Sequence, residues 1–242
     1  MPLPSRRVLV AVDGPSGSGK SSVSREVARR AGLAYLDTGA MYRAACWAAL
    51  RDGVDVSDTE ATAAVVRAVV VDLSTDPDDL RVAVDGVDVT DDIRGSGVTA
   101  AVSAFASHPP VREELRLRQR ALMDAAPTGC IAEGRDITTV VAPDAHVRIL
   151  LTADADARVR RRAAQLGEAP DTVDVREGVL NRDAVDSGVT AFRTAADGVL
   201  ELDSSALDLE QTVAAVLGHV LAAQGTLQPT GLSGLPREGG AT

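Results

Sequence analysis

Apolar runs and helical spacing alternate along the first quarter of the chain. Residues 7–12, RVLVAV, form a β-branched apolar run that predicts a buried strand. After a glycine-rich turn, residues 21–32 carry apolar side chains at helical spacing and predict a helix that ends at a glycine. Residues 34–37 predict a second strand, and residues 39–53 predict a second helix. This order predicts an α/β fold, in which a parallel sheet is flanked by helices.

The pattern changes in the next stretch, where short alternating strands replace the long buried one. Three strands and two flanking helices are predicted there, with the strands at 69–75, 81–85 and 87–90 and the helices at about 58–68 and 97–106. Asp85-Gly86 is a hairpin signal between the last two strands. We interpret this stretch, about residues 55–100, as a small α+β insertion in the parallel core.

Longer segments resume after the insertion. The pattern predicts strands at 130–134, 146–153 and 199–203 and helices at 111–126, 154–166, 172–183 and 209–223. The two helices within about 154–187 are rich in arginine. Residues 225–242 are rich in Gly, Pro and Thr and show no periodicity, which predicts a disordered tail. We therefore predict one domain over residues 5–224, followed by that tail.

The composition narrows the class of partner. The chain has 242 residues, a formal net charge of -10 and an aromatic content of 2%, which disfavours nucleic acid as a ligand. Its apolar runs are too short for a signal-peptide core or a membrane span. Cys46 and Cys130 lie far apart without metal-ligand spacing, as expected for reduced thiols. We expect a soluble, cytoplasmic, monomeric protein that acts on small molecules.

A phosphate-binding loop lies between the first predicted strand and helix. Residues 14–21, GPSGSGKS, satisfy G-x-x-x-x-G-K-[ST] in the required strand–loop–helix context. The glycines allow backbone N–H groups to point at phosphate oxygens, Lys20 reaches the β- and γ-phosphates, and Ser21 holds Mg²⁺. The residues predicted to bind ATP are Gly14, Pro15, Ser16, Gly17, Ser18, Gly19, Lys20, Ser21 and Ser22.

Lys20 is the only lysine in the chain, beside 24 arginines. A compact ammonium fits inside the loop where a planar guanidinium would be too bulky, so we expect this lysine to be functional. A GTPase would need an N-K-x-D motif, and the chain has no second lysine to form one. A polymer-driven ATPase usually needs an Asp or Asp-Glu that closes an apolar strand, and residues 130–134 supply only Glu133.

Arginines after strands and at helix starts indicate a kinase, because phosphoryl transfer between two phosphate-bearing substrates needs fixed cations. The candidates are Arg43, Arg112, Arg135, Arg158, Arg161, Arg162 and Arg182. Arg135 stands out because it follows a predicted core strand directly, where ligands bind in open α/β sheets. Arg116, Arg118 and Arg120 on the long helix are interpreted as a solvated face.

Four blocks together closely resemble bacterial cytidylate kinase over about residues 7–223. They are GPSGSGKSS, YLDTGAMYR (35–43), VSAFASHPPVREELRLRQR (102–120) and EGRDITTVVAPDA (133–145). The resemblance implies a P-loop NTPase-type fold with an acceptor-binding insertion and an Arg-rich helical lid at about 154–187. It also implies ATP- and Mg²⁺-dependent phosphorylation of CMP and dCMP.

The resemblance assigns roles to residues that match the family's motifs. Thr38, Arg43 and Arg135 would contact the CMP phosphate. Ser103, Arg112 and Asp136 would read the cytosine edge. Arg158 and Arg162 would act with Lys20 as catalytic residues on the ATP phosphates, Arg161 could serve either arginine role, and Arg182 and Asp186 would contact the sugar.

One position departs from the family pattern. The arginine expected two residues after Ser187 is replaced by Val189, and Arg193 follows one helical turn later. Two alternative functions stay open, and only the second of them rests on this departure. A P-loop kinase of another small acceptor, such as a sugar or a shikimate-like acid, would make the cytosine-reading set incidental. A non-catalytic nucleotide-binding regulator is favoured only by the altered segment 187–193.

Overall fold

The computed structural model describes residues 6–166 and 194–225, and its strands follow the apolar runs of the sequence. The strands are β1 (Val8–Asp13), β2 (Ala34–Asp37), β3 (Val71–Leu73), β4 (Val82–Val84), β5 (Val87–Asp88), β6 (Gly129–Gly134), β7 (Val147–Thr152) and β8 (Leu200–Asp203). The helices are α1 (Lys20–Ala31), α2 (Thr38–Arg51), α3 (Thr59–Ala68), α4 (Ser96–Phe105), α5 (Pro109–Ala125), α6 (Ala155–Leu166) and α7 (Leu209–Ala223).

Five of the strands form a parallel sheet in the order β2-β6-β1-β7-β8, as the alternation of strands and helices predicted. β1 lies at the centre, and all six of its residues are buried because strands flank both edges and helices cover both faces. The register pairs Asp13 with Gly134 and Asp37 with Glu133. Because parallel strands end at the same edge, the segments that follow β1, β2 and β6 meet there.

The two faces of this sheet are covered by different helices. Val27 of α1 and Val216 of α7 belong to one buried apolar cluster. Met41, Phe105 and Leu115 from α2, α4 and α5 belong to the other. The apolar runs Val8–Val12 in β1 and Cys130–Ala132 in β6 reflect burial on both faces, which is typical of parallel sheets.

The predicted insertion contains a separate three-stranded antiparallel sheet in the order β3-β4-β5. Its strands are shorter than predicted, and Val71–Leu73 is three residues long. Asp85 and Gly86 have φ values of 51° and 82°, the left-handed pair that a tight hairpin turn requires. Asp85 accepts hydrogen bonds from the Val70 N–H at 3.0 Å and from Arg51 at 2.8 Å, and these hold the turn. The Asp85-Gly86 hairpin prediction is confirmed.

The contacts of Arg118 on the long helix α5 show that its interpretation as a solvated residue is wrong. Arg118 was assigned to a solvated face, but its guanidinium donates to the carbonyl oxygens of Val66 at 2.7 Å and Val69 at 2.9 Å. These carbonyls lie at the C-terminal end of α3, where helical C=O groups lack partners within the helix. Arg118 therefore joins α5 to α3. Arg116 does pair with Glu113 near the surface, as expected for a solvated residue.

Several predicted segments lie outside the described residues. They are the helix at 172–183, most of the lid and all but the first residue of the predicted tail. Among the helices that are described, none is long and apolar enough to cross a bilayer.

Candidate active site

The phosphate loop joins β1 to α1 at the carboxyl edge of the sheet. Gly17 and Gly19 have φ values of 78° and 91°, a region that L-residues with a Cβ rarely adopt. Gly14 is closed in by its neighbour, since a Cβ there would lie 2.2 Å from the carbonyl oxygen of Leu151. The glycines of the motif thus meet the steric requirements of this turn.

Lys20 is the first residue of α1, and its side chain turns back over the loop. Its Nζ lies 3.4 Å from the carbonyl oxygen of Pro15 and 3.9 Å from Oε2 of Glu133. The Lys20 and Glu133 side chains are only 13% and 4% exposed. Burial lowers the pKa of Lys20, and the charge of Arg135 lowers it further, whereas Glu133 raises it. The ammonium therefore stands in a largely dehydrated site at the loop, where electrostatic interactions are strong.

Glu133 is the carboxylate at the centre of this site. The Ser21 hydroxyl donates to its Oε1 at 2.7 Å, and the Tyr35 hydroxyl lies 3.5 Å from the same oxygen. Burial raises the pKa of Glu133 to about 7, Asp37 adds to the increase, and Lys20 opposes it. From the sequence alone, Glu133 counts only as an incomplete ATPase signature. The available signal was an acid inside an otherwise apolar core strand.

These groups suit a magnesium ion. Within the described ranges, no cluster of three or more His, Cys, Asp or Glu side chains could hold a metal. Mg²⁺ in kinase sites needs only one or two protein oxygens, because substrate phosphates and water complete its octahedron. The Ser21 hydroxyl and the Glu133 carboxylate supply two adjacent hard oxygen donors next to the phosphate loop.

Two arginines of α6 contact the phosphate loop. Arg158 donates to the carbonyl oxygen of Ser16 at 3.2 Å. Arg161 donates to the carbonyl oxygens of Ser18 at 3.0 Å, Ser204 at 2.7 Å and Leu207 at 3.3 Å. The Arg161 guanidinium thus connects the phosphate loop to the segment that follows β8. The sequence left the role of Arg161 open, and the structure gives it this bridging contact.

The predicted acceptor residues that the structure describes lie on α2, α4, α5 and the segment after β6. Thr38, at the start of α2, is buried and donates to the carbonyl oxygen of Glu133 at 2.7 Å. Arg43, one turn further, donates to the Thr99 hydroxyl at 3.1 Å and to the carbonyl oxygen of Ile93 at 3.3 Å. Arg43 therefore joins α2 to α4 and to the turn before it. Ser103 is half-buried on α4.

Arg112 and Asp136 are brought together across 24 positions of sequence. The guanidinium of Arg112 donates to Oδ2 of Asp136 and to the carbonyl oxygen of Ala106, the latter at 3.4 Å. Their side chains are 24% and 14% exposed. Burial raises the pKa of Asp136, and the adjacent Arg112 charge opposes that rise. The pair therefore presents an acceptor and a donor at one partly desolvated position.

Of the remaining predicted site residues, the structure describes some and not others. Arg135 follows β6 directly and is half-buried beside Asp136. Arg162 belongs to α6, but its side chain lies outside the described part of the structure, as do Arg182 and Asp186. The departure at Val189 and Arg193 also lies outside it.

Comparison with known proteins gives one consistent result. The family model described as cytidylate kinase matches residues 10–221. A cytidylate kinase of Cutibacterium acnes is 48% identical over 215 residues, which cover 88% of this chain and 96% of that protein. A cytidylate kinase of Streptomyces avermitilis is 46% identical over 211 residues, covering 87% and 91%. One of Geobacillus kaustophilus is 42% identical over 217 residues, covering 88% and 96%.

Proposed function

The chain belongs to the cytidylate kinase family, and we propose that it transfers the γ-phosphoryl group of ATP to CMP and to dCMP. The products are ADP and CDP or dCDP, and no covalent enzyme intermediate forms. The observation that carries the proposal is the adjacency of two segments at one sheet edge. Asp13 pairs with Gly134, so the phosphate loop after β1 and Arg135-Asp136 after β6 emerge side by side. A donor and an acceptor bound to these segments would lie next to each other.

The phosphate loop forms the donor half. Its backbone N–H groups and the start of α1 bind the ATP phosphates, and Lys20 stabilises the charge that develops on the β- and γ-oxygens. Ser21 would ligate Mg²⁺, and Glu133 would keep the Ser21 hydroxyl in place through their 2.7 Å hydrogen bond. When bound, the ion neutralises phosphate charge and aligns the β- and γ-groups.

Arg112 and Asp136 form the base-reading part of the acceptor half. The cytosine edge has an amino donor beside the acceptor N3, so a carboxylate can face the amino group while a guanidinium faces N3 and O2. Ser103 on the neighbouring helix α4 would add a hydroxyl to this set. Uracil carries a carbonyl where cytosine carries the amino group, and Asp136 would repel it.

Thr38, Arg43 and Arg135 are proposed to bind the acceptor phosphate. Arg158 and Arg162 would move onto the transferred group when the lid closes, and closure would exclude water that could otherwise hydrolyse ATP. Arg182 and Asp186 are proposed to contact the sugar on the basis of family resemblance alone. We also propose that the protein acts as a monomer.

A coupled ADP-release assay with CMP, dCMP, UMP and AMP tests this function. We expect CMP and dCMP to be turned over with much higher kcat/KM than UMP or AMP. Arg112→Met should lose this preference, whereas Arg116→Met, one turn along the same helix and paired with Glu113 near the surface, should keep it. CMP turnover no faster than AMP turnover would reject the proposal. Tight CMP binding without any turnover would indicate a nucleotide-binding regulator instead.

A further inference from the structure

Asp13, the last residue of β1, is a buried carboxylate to which the donor mechanism gives no task. Its residue is 2% exposed, and it directly precedes the phosphate loop. Oδ1 accepts the Ile137 N–H at 2.8 Å, and Oδ2 accepts the Thr138 N–H at 2.8 Å and the Thr138 hydroxyl at 2.6 Å. Both carboxylate oxygens are thus bound to the segment that follows Arg135-Asp136.

That segment is a π-helical turn over Ile137–Val141. Asp136 precedes it, and the Asp136 side chain gives the turn no capping hydrogen bond. Its own carbonyl oxygen accepts from the Val140 N–H at 2.8 Å. The first N–H groups of a helical turn have no partner inside it, so a distant side chain must satisfy them when they are buried. Asp13 fills that role from the neighbouring strand.

The contact fixes the direction in which the chain leaves β6. Pairing of Asp13 with Gly134 sets the end of the strand, and the Asp13 carboxylate sets the start of the turn three residues later. Arg135 and Asp136 are the two residues held between these fixed points. A carboxylate with two N–H donors and one O–H donor is a strong and directional acceptor.

We propose that Asp13 and Thr138 are positioning residues that fix Arg135 and Asp136 relative to the phosphate loop and thereby set affinity for the acceptor. The proposal rests on the proposed function for the identity of the acceptor, CMP. We assign neither residue a substrate contact, because both are buried and the Asp13 carboxylate accepts its hydrogen bonds from Ile137 and Thr138. Any residue at position 138 with a backbone N–H could donate to Asp13, but the second hydrogen bond needs the hydroxyl of the threonine side chain.

Three threonine variants separate positioning from folding. Thr138→Val keeps the shape and removes the hydroxyl donor, Thr138→Ser keeps the donor, and Thr139→Val changes the exposed neighbour as a control. For Thr138→Val we expect the KM for CMP to rise about 10-fold or more, as loss of one charge-assisted hydrogen bond implies. The KM for ATP should stay within about twofold, because the loop contacts of Lys20 and Ser21 are untouched. Thr138→Ser and Thr139→Val should resemble the wild type.

Asp13→Asn extends the series, since its amide NH₂ would face the N–H of either Ile137 or Thr138, donor against donor in both orientations. We expect a larger rise in the KM for CMP than in Thr138→Val. Equal rises in both KM values, or no change in Thr138→Val, would overturn the proposal. If Asp13→Asn does not fold, the threonine series still decides the matter.

A measurement without any nucleotide keeps this inference separate from the proposed function. Hydrogen–deuterium exchange should be faster over residues 135–141 in Thr138→Val than in the wild type, with the amides of the phosphate loop unchanged. If the wild-type protein shows no CMP turnover but exchange changes as expected, the proposed acceptor is wrong and the positioning contact stands. Unchanged exchange at 135–141 would reject the contact itself.

Discussion

The Ser21 hydroxyl donates a 2.7 Å hydrogen bond to Oε1 of Glu133, across 112 positions of sequence. It joins the residue after the motif lysine to a strand that the motif does not include. Glu133 also lies 3.9 Å from Lys20, so one carboxylate faces both the proposed magnesium ligand and the lysine proposed to be catalytic. The proposed donor site therefore includes a residue outside the phosphate-loop motif.

Replacing Glu133 with Gln should impair magnesium-dependent catalysis more than nucleotide binding. Gln keeps the shape but removes the charge that supports the ion, so we expect kcat to fall by about 10²-fold or more. Titration of activity with Mg²⁺ at fixed ATP should show a higher requirement. Tyr35→Phe is a milder comparison, because that hydroxyl lies 3.5 Å from the carboxylate. An unchanged magnesium requirement in Glu133→Gln would exclude this role.

The raised pKa of Glu133 predicts a dependence on pH. Because that pKa is about 7, the carboxyl is protonated below it and supports Mg²⁺ only above it. We expect magnesium affinity to increase as pH rises from 6 to 8, and the increase to disappear in Glu133→Gln. A raised folded-state pKa also means that stability falls as pH rises from the unfolded value to about 7 and then levels. Chemical denaturation at several pH values should show a smaller fall in the Gln variant.

Lys20 should not be replaceable by arginine. Its Nζ sits within 3.4 Å of the Pro15 carbonyl oxygen in a side chain only 13% exposed, which leaves little room for a planar guanidinium. We expect Lys20→Arg and Lys20→Met both to lose about 10²- to 10³-fold in kcat, as for other preorganised charge stabilisers. Thermal denaturation should give a Tm for Lys20→Met at or above that of the wild type, since burial opposes the charge. Near-normal turnover by Lys20→Arg would contradict this explanation of the single lysine.

The Arg112–Asp136 pair should determine discrimination between cytosine and uracil. Removing one partner leaves the other charge partly buried and unpaired, so Asp136→Ala should raise the KM for CMP by about 30-fold or more. Asp136→Asn should narrow the ratio of CMP to UMP turnover, because an amide can also donate to uracil O4. Measuring the KM for CMP in Arg112→Met, in Asp136→Ala and in the variant that carries both changes gives the coupling energy between the two residues. Additive effects would mean that the two residues act independently.

Arg161 should be important for stability, unlike its neighbour Arg160. Its guanidinium donates to the carbonyl oxygens of Ser18 in the phosphate loop and Ser204 after β8. Arg160, on the same helix, is exposed. We expect Arg161→Met to lower the free energy of unfolding by about 1–3 kcal/mol, the cost of leaving buried carbonyls unsatisfied. Arg160→Met should change it by less than about 0.5 kcal/mol. Urea denaturation of the two variants compares them directly.

The sequence by itself determined the elements and the donor loop of this protein. The apolar runs at 7–12 and 130–134 and the glycines of 14–21 are local signals, because burial on both faces of a strand and left-handed backbone each restrict residue type directly. The Asp85-Gly86 hairpin was readable for the same reason. The predicted acceptor residues came from family resemblance, because local pattern alone did not distinguish them from surface arginines.

Only the tertiary structure decided which polar side chains meet. Glu133 joins Ser21, Asp13 holds Thr138, and Arg161 bridges Ser18 and Ser204. Arg118, which the sequence favoured as part of a solvated helix face, binds the end of α3. Each contact joins residues dozens of positions or more apart, and strand order and register set those distances. A hydrogen bond depends on tenths of an ångström, which the spacing of residue types along a chain does not encode.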